Sequence, residues 1–205
     1  MELMTGLEYL GTFFFAFSGA TVAMDEKLDY LGVFFLATVT ALGGGLMRDA
    51  VLSRAEIYAF SHWLPYGLIF LATLAVIMGK YRFHSTLLLT AFDAIGLVAF
   101  TSTASHNAIL SGQNLLATAF CAFATAAGGG ILRDVVVNRK PYVLRKEIYG
   151  LLSLLGALFQ WCTQSIFNDA TTLFSTFLLV FCIRMVCYQK NLNLPIPNNA
   201  IVQDA

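Results

Sequence analysis

Residues 40–52 have the sequence TALGGGLMRDAVL, in which three consecutive glycines lie inside an apolar stretch and an Arg-Asp pair follows. Glycine weakens a helix, and a charged side chain is costly in apolar surroundings, so the combination needs a reason. Residues 125–137, TAAGGGILRDVVV, repeat the pattern. We predict that these stretches are matched breaks in two membrane helices, and that they line a path for ions.

The repeat extends well beyond the glycines. Gly43 and Gly128 are 85 residues apart, and the same shift places Glu8 on Asp93 without a gap. Between residues 31 and 54, twelve of 24 positions are identical to their partners. Each copy holds three predicted helices, and an odd number makes the second copy enter the membrane from the opposite side. The sequence therefore predicts an inverted repeat related by a pseudo-twofold axis in the membrane plane.

Composition assigns the chain to the membrane. It has 205 residues, of which 58% are hydrophobic and 12% charged, whereas soluble domains carry roughly 25% charged residues. A spanning helix needs about 20 mostly apolar residues. Seven segments meet this need: 6–23, 30–52, 61–79, 86–104, 113–137, 148–166 and 171–188. We predict an all-α polytopic membrane protein with two inverted three-helix repeats and an added seventh helix.

The predicted division of the chain follows from these segments. The first repeat covers residues 1–84, the second covers 85–168, the seventh helix covers 169–190, and a polar tail covers 191–205. The boundary at FNDAT, between the sixth and seventh helices, is the least marked. The tail is polar and contains prolines, so it is predicted to be extended or disordered.

Orientation follows from the Lys and Arg residues of short loops, which are enriched on the cytoplasmic side. If the N-terminus is outside the cell, the outer loops contain only one basic residue, Arg54. It places nine residues in the inner loops and tail: Lys27, Lys80, Arg82, Arg139, Lys140, Arg145, Lys146, Arg184 and Lys190. We predict a multi-pass protein of the inner (plasma) membrane, with its N-terminus outside and its C-terminus in the cytoplasm.

The glycines are the first candidates for the ion path. Three glycines can loosen or kink a helix and free its carbonyl oxygens, which then replace part of a cation's hydration shell. Matched Gly-interrupted segments in two halves also point to a membrane transport site. The alternative is that small residues only let helices pack closely. The glycines concerned are Gly43, Gly44, Gly45, Gly128, Gly129 and Gly130.

Charged side chains inside spanning segments are the second set of candidates, because such residues usually face a bundle interior or a water-filled cavity. Arg48 and Asp49 are neighbours about 100° apart on a helix, as are Arg133 and Asp134. We expect one member of each pair to face the path and the other to pair across the pseudo-twofold axis. The alternative is that both pairs lie near the interface and extend their charges toward it.

Asp93 is the strongest single candidate, because it lies about eight residues inside its predicted helix. Its repeat partner Glu8 is nearer a helix end, which favours an interfacial position. Some hydroxyl side chains are further candidates for the path, although most such groups only bond to their own backbone. They are Ser18, Thr38, Thr103 and Thr125.

Other chemistry is not indicated. The sequence has no catalytic motif, no metal-ligand spacing and no phosphate-binding loop, because no Lys-Ser or Lys-Thr follows the glycines. Net charge is zero and no basic run predicts nucleic-acid binding. The prediction is a non-enzyme without a resident cofactor or metal, in contact with membrane lipid, through which potassium or sodium ions pass.

The doubled GGGxxRD motif, one copy per three-helix repeat, together with a seventh helix, resembles the trimeric intracellular cation (TRIC) channel family, and its bacterial homologues in particular. The resemblance covers about residues 6–188. It implies a homotrimer with one pore in each subunit, helices two and five kinked at the glycines, and potassium-preferring permeation. Animal members bind phosphoinositides through a basic motif. The matching stretch here, LRDVVVNRK, carries charge without that motif, so phosphoinositide regulation is not expected.

Two further functions stay open. Related bacterial sequences are labelled glycine transporters, and inverted repeats are common in secondary transporters. A zwitterion would need a carboxylate site, for which Arg133 is suited, and an ammonium site, for which Asp93 is suited. A structural or lipid-scaffold protein would explain packing glycines but not the doubled Arg-Asp pair. The favoured prediction is the channel, with a secondary transporter of a small amino acid such as glycine as the alternative.

Overall fold

The computed structural model describes residues 2–53, 61–79, 86–141, 143, 148–190 and 192. This part of the chain forms seven α-helices and no strand. They are α1 (Glu2–Asp25), α2 (Tyr30–Val51), α3 (Leu64–Gly79), α4 (Thr86–Leu110), α5 (Leu115–Val136), α6 (Tyr149–Thr163) and α7 (Asp169–Gln189). The predicted all-α polytopic membrane fold is confirmed. The boundary predicted at residues 84 and 85, and the tail from 193 onward, lie outside the described residues.

The sequence predicted the start of α7 correctly but not the end of α4. Helix α4 continues to Leu110, beyond the predicted end at residue 104. Its last turns contain buried polar residues, including Asn107, which hydropathy alone assigns to a loop. The sixth and seventh helices are separate as predicted, because Asn168 begins α7 and its side chain accepts a hydrogen bond from Thr171 N at 2.8 Å.

Four of the described helices are long and apolar enough to cross a membrane, namely α1, α2, α5 and α7. Helices α3 and α6 are apolar but shorter, with 16 and 15 residues. Helix α4 has 25 residues.

The repeat is visible in the helix caps. Asp29 begins α2, and its carboxylate accepts a hydrogen bond from Gly32 N at 2.7 Å. Asn114, 85 residues later, begins α5 and accepts one from Ala117 N at 2.9 Å. Both residue types satisfy the unpaired N–H groups at a helix start. The two halves therefore begin their second helices with the same capping geometry.

The turns repeat as well. Lys27 has a φ angle of 57° and Gly112, its partner under the 85-residue shift, has 69°. Ser53 and Asn138 are also partners, with φ angles of 49° and 56°. Few residues other than glycine adopt positive φ. Matching turns at both ends of α2 and α5 show that the sequence repeat is also a repeat of backbone structure.

Helices α1, α2, α4 and α5 form the centre of the protein. Helix α1 packs against α2 and α4, and α5 packs against α2 and α4. Helix α3 covers α1 and α2, and α6 covers α4 and α5 in the same way. Helix α7 breaks this symmetry, because its main contacts are with α4 and α6 of the second repeat.

The contact between α1 and α4 depends on two matched glycine–phenylalanine pairs. A Cβ added at Gly96 would collide with the ring of Phe15, and one added at Gly11 would lie 3.3 Å from the ring of Phe100. The two rings are 5.2 Å apart between centroids. Since position 11 meets 100 and position 15 meets 96, the helices run in opposite directions.

The contact between α2 and α5 uses the central glycine of each triplet. A Cβ at Gly44 would lie well under 3.0 Å from the carbonyl oxygen of Thr125, and a Cβ at Gly129 would lie equally close to that of Thr40. Only a residue without a side chain fits there. The α-helix is continuous through both triplets. The expected breaks are therefore wrong, because close packing replaces the predicted release of carbonyl groups.

Candidate functional site

Three buried charged residues form a first cluster, Glu8, Arg48 and Asp49, at one end of the α1–α2 pair. Arg48 Nη1 donates to Glu8 Oε1, and Arg48 Nε donates to Asp49 Oδ1 at 2.9 Å. Asn107 of α4 donates from Nδ2 to Glu8 Oε1 at 3.4 Å. The arginine is 1% exposed. The protein thus supplies the partners that a buried charge requires.

The second cluster, Asp93, Arg133 and Asp134, repeats this arrangement on α4 and α5. Arg133 Nη1 donates to Asp93 Oδ1 at 2.9 Å, and Arg133 Nε donates to Asp134 Oδ1 at 2.8 Å. Ser18 of α1 joins the two repeats here. Its hydroxyl accepts from Arg133 Nη1 at 2.5 Å and donates to Asp93 Oδ1 at 3.3 Å.

These contacts correct the expected pairing. Each arginine pairs with the adjacent aspartate and with an acid of its own repeat, rather than with an acid across the pseudo-twofold axis. The reason is the inversion of the second repeat, which places the two Arg-Asp pairs about 15 Å apart along the helix axes, too far for an ion pair between them. Neither arginine extends its charge out of the protein, since both are buried.

Glu8 was expected at the interface and is instead 2% exposed. The sequence did contain a signal for it, because the 85-residue shift matches Glu8 with Asp93. Glu8 and Ser18 are ten residues apart on α1, which corresponds to about 15 Å along the helix axis. The two clusters therefore lie on opposite sides of the middle of the bundle, with Glu8 nearer the start of α1 and Ser18 nearer its end.

A cavity of about 20 Å³ adjoins the first cluster, enough for about one water molecule. Its walls combine the charged groups with apolar side chains and a glycine. They are Glu8, Thr12, Ala41, Leu42, Gly45, Arg48, Asp49 and Phe100. The cavity is thus a small space with both charged and apolar walls.

The six predicted glycines separate into two groups. The first and second of each triplet are packing positions, because a Cβ at Gly43 would lie 2.6 Å from Leu132 Cδ1 and one at Gly128 would lie 2.5 Å from Met47 Sδ. The third glycines are not tight packing positions. A Cβ at Gly45 would have no neighbour within 4 Å, and one at Gly130 would have only Arg133 Nη2 and Tyr149 Oη, each at 3.9 Å.

The predicted hydroxyl groups also differ in position. Ser18 is part of the second cluster. The side chains of Thr38 and Thr125 donate to carbonyl oxygens one turn earlier on their own helices, Phe34 O at 2.8 Å and Cys121 O at 2.6 Å. Thr103 is fully buried on α4. A path-lining function of these threonines and of the glycines stays a prediction.

Sequence reasoning missed Arg184 and Tyr149. Arg184 was counted among the charges of the cytoplasmic tail, but it lies in α7 and is fully buried. Its Cζ is 4.9 Å from the centroid of the Tyr149 ring, within range of a cation–π interaction. No repeat partner draws attention to Arg184, because α7 is outside the repeat.

The basic stretch LRDVVVNRK is not a free patch. Arg133 is buried in the second cluster, and Arg139 Nε donates to Glu26 Oε1 at 2.5 Å. In the part of the chain that the structure describes, no group of three or more His, Cys, Asp or Glu side chains could hold a metal ion. The candidate site is therefore the pair of charge clusters and the four helices between them.

A family model described as "Glycine transporter" matches residues 5–81 and again residues 90–165. The two matches begin 85 residues apart, so each repeat is one copy of the family unit. The chain belongs to the glycine transporter family. The family model describes one three-helix unit, and this chain contains that unit twice.

Two curated relatives support the membership. The UPF0126 membrane protein YvgT of Bacillus subtilis is 37% identical over 198 residues, which cover 92% of this chain and 94% of that protein. A UPF0126 membrane protein of Vibrio cholerae is 33% identical over 201 residues, which cover 95% of this chain and 82% of that protein. The similarity to these membrane proteins thus extends over nearly the whole chain.

Solved structures of TRIC channels have the same fold. The TRIC trimeric intracellular cation channel orthologue from Rhodobacter sphaeroides matches with a TM-score of 0.87 and 28% identity, covering 94% of this chain and all of that one. A TRIC cation channel studied for conductance matches with a TM-score of 0.86 and 29% identity, covering 94% and 96%. The resemblance to TRIC channels is confirmed for this family member.

Proposed function

We propose that this glycine transporter family member is a cation channel that prefers potassium, with one pore in each subunit of a homotrimer. The observation that carries the proposal is the similarity to TRIC cation channels over almost the full chain. The charge clusters give the proposal a physical basis. Each has two acids and one arginine, hence a formal charge of −1, which attracts cations to both ends of the central helices.

The proposed path runs between α1, α2, α4 and α5. Gly45 leaves open space beside the first cluster, where the cavity lies, and a Cβ at Gly130 would meet only Arg133 and Tyr149, each at 3.9 Å. Acidic rings and exposed oxygen atoms are the groups that select cations in pores. The path-lining elements are therefore the open faces of α2 and α5 near the third glycines.

Recording from the purified protein in planar bilayers tests the proposal. With KCl at unequal concentrations on the two sides, the reversal potential should lie close to the potassium equilibrium potential, and it should shift when sodium replaces potassium on one side. A chloride-selective current, or no unitary current from well-folded protein, would reject the channel.

Glycine transport is the second candidate, supported by the description of the family model. In the structure, however, the proposed carboxylate and ammonium ligands, Arg133 and Asp93, already bond to each other. A bound zwitterion would have to separate this buried pair. Proteoliposomes loaded with glycine should consequently show no saturable uptake of labelled glycine. Saturable counterflow that tracks the protein would favour the transporter.

The proposed location is the inner (plasma) membrane, with the N-terminus outside and the C-terminus in the cytoplasm. Removing Arg184 from the loop count leaves eight basic residues against one, so the bias still supports this orientation. A cysteine introduced at Lys140 should react with a membrane-impermeant maleimide only after the cytoplasmic side is opened. Labelling from outside intact cells would reverse the topology.

A further inference from the structure

Two polar links join helices α1 and α5, which occupy diagonal positions among the four central helices. Each of these two helices packs mainly against α2 and α4 and only slightly against the other. A side-chain link between them therefore crosses the space between the four helices, where the path is proposed. The inner link is buried in the second cluster, where Arg133 Nη1 donates to the hydroxyl oxygen of Ser18 at 2.5 Å.

Glu26 and Arg139 form the outer link, beyond the ends of both helices. Glu26 directly follows α1, and Arg139 lies three residues after the end of α5. Arg139 Nε donates to Glu26 Oε1 at 2.5 Å, and the two side chains are 42% and 35% exposed. Since Glu26 is eight residues after Ser18, the ion pair lies about 12 Å further along α1 than the inner link. Both links are thus at the same end of the bundle.

The backbone defines the position of both residues of this ion pair. Lys27, next to Glu26, has a φ angle of 57°, and Asn138, next to Arg139, has one of 56°. The N–H group of Arg139 also donates to Asp134 O at 2.7 Å, a backbone bond typical of a helix that ends in a positive-φ residue. The ion pair therefore connects two defined helix-ending turns, so that holding the side chains together also holds the helix ends together.

The matching positions on the α2–α4 diagonal do not repeat these links among the described residues. Ser111 takes the place of Glu26 under the 85-residue shift, in a turn of similar backbone geometry. It carries no charge, and its hydroxyl donates to Asn107 O at 2.8 Å. Thr103 takes the place of Ser18, and its buried hydroxyl has no hydrogen bond in the described part of the chain. The cavity lies at this other end, beside the first cluster.

We propose that the end of the path at the second cluster is its gate, and that the ion pair of Glu26 and Arg139 is a latch that stabilises the closed state. The proposal rests on the proposed channel function, but not on the orientation in the membrane. The latch acts through contact between two helix ends rather than through the net charge of the region. Because water solvates both partners when they separate, an exposed ion pair breaks at a small cost. Its breaking allows the ends of α1 and α5 to move apart.

Single-channel recording in planar bilayers tests the latch through the open probability. In symmetric KCl, Glu26→Gln and Arg139→Gln should each raise the ratio of open to closed time by about two- to fivefold, the range expected for an exposed ion pair. The double variant should show the same rise as either single variant, because each of these already breaks the pair. Glu26→Arg combined with Arg139→Glu reverses the pair and should return the ratio to near the wild-type value.

Lys140→Gln is the matched control, because it removes a positive charge from the next residue, which is also exposed. Its ratio of open to closed time should stay near the wild-type value. Both residues of the latch are at least one-third exposed, so their replacements should fold. The inference fails if neither single variant raises the ratio, if the reversed pair behaves like the broken pair, or if Lys140→Gln raises the ratio equally.

Failure of the latch and failure of the channel give different recordings. A wild-type protein that carries no cation current would reject the proposed channel function. A cation current whose open probability is the same in the wild type and in all variants of the pair would reject the latch alone.

Discussion

The two charge clusters have the same composition, and they differ in what surrounds them. At the first cluster, Gly45 borders a cavity of about 20 Å³ and Leu64 starts the neighbouring helix. At the second, Ser18 bonds to the ion pair and Tyr149 lies beside Gly130. The comparison shows that repeat symmetry determines the ion pairs of both clusters. Their surroundings differ because the matching positions 64 and 149 hold different residues, and because Ser18 of the first repeat contacts the second cluster.

The glycine triplets give the largest expected effect. Gly44→Ala or Gly129→Ala would push a methyl group into a carbonyl oxygen of the opposite helix, a distance that real Cβ atoms do not reach. Overpacking costs about 1–3 kcal/mol where the neighbours can shift. A carbonyl oxygen of a packed helix cannot shift, so we expect a loss above about 5 kcal/mol, beyond the usual range for one substitution. Thermal unfolding of the detergent-solubilised protein should show this loss at both positions.

The matched control is the third glycine. Gly45→Ala has open space for its methyl group, so it should keep or slightly raise the unfolding temperature, since alanine is favoured in helices by about 1 kcal/mol. Equal destabilisation by Gly44→Ala and Gly45→Ala would contradict the division of each triplet into packing and open positions.

The buried arginines give the next largest effect. Arg48→Met or Arg133→Met would leave two acids without their shared cation, and breaking a buried pair in this way costs about 3–5 kcal/mol if the acids stay charged. Protonation of the acids reduces this cost, so the measured loss should shrink as the pH of the unfolding experiment is lowered. A pH-independent loss would indicate that the arginines contribute through packing alone.

Ser18 gives the smallest effect and is specific to the second cluster. Ser18→Ala removes the hydroxyl that bonds to Arg133 and Asp93, which should lower the free energy of unfolding by about 1.5–3 kcal/mol, the range for hydrogen bonds to charged groups. Ser105→Ala removes a buried hydroxyl that donates only one turn back, to Thr101 O, and should cost less. An equal loss in both variants would remove the reason to count Ser18 in the site.

The periodic features of this protein were predictable from sequence, and those that depend on contact between non-repeated residues were not. Apolar segments located the helices, and the 85-residue shift matched Glu8 with Asp93 and Arg48 with Arg133. Chemistry alone, however, did not show that GGG would remain helical. The triplets stay helical because the central glycines pack against the carbonyl groups of Thr40 and Thr125 on the opposite helix. This contact exists only when α2 and α5 are packed together.

Arg184 is a second residue whose position could not be predicted from the sequence. In the sequence it lies near the end of an apolar segment, where a basic residue ordinarily belongs to the cytoplasmic interface. The structure buries it because α7 packs against α6 and places Tyr149 below the guanidinium. A residue outside the repeat has no symmetry partner, so only its tertiary contacts indicate that it belongs to the site.

The most direct test of the permeation path compares Asp93→Asn with Arg133→Gln in single-channel recordings. A cation passing the second cluster is attracted by Asp93 and repelled by Arg133. We predict that Asp93→Asn lowers conductance or weakens cation preference, while Arg133→Gln raises cation conductance or open probability. If instead both variants lower stability to a similar extent and leave conductance and selectivity unchanged, the second cluster is a packing element and cations do not pass it.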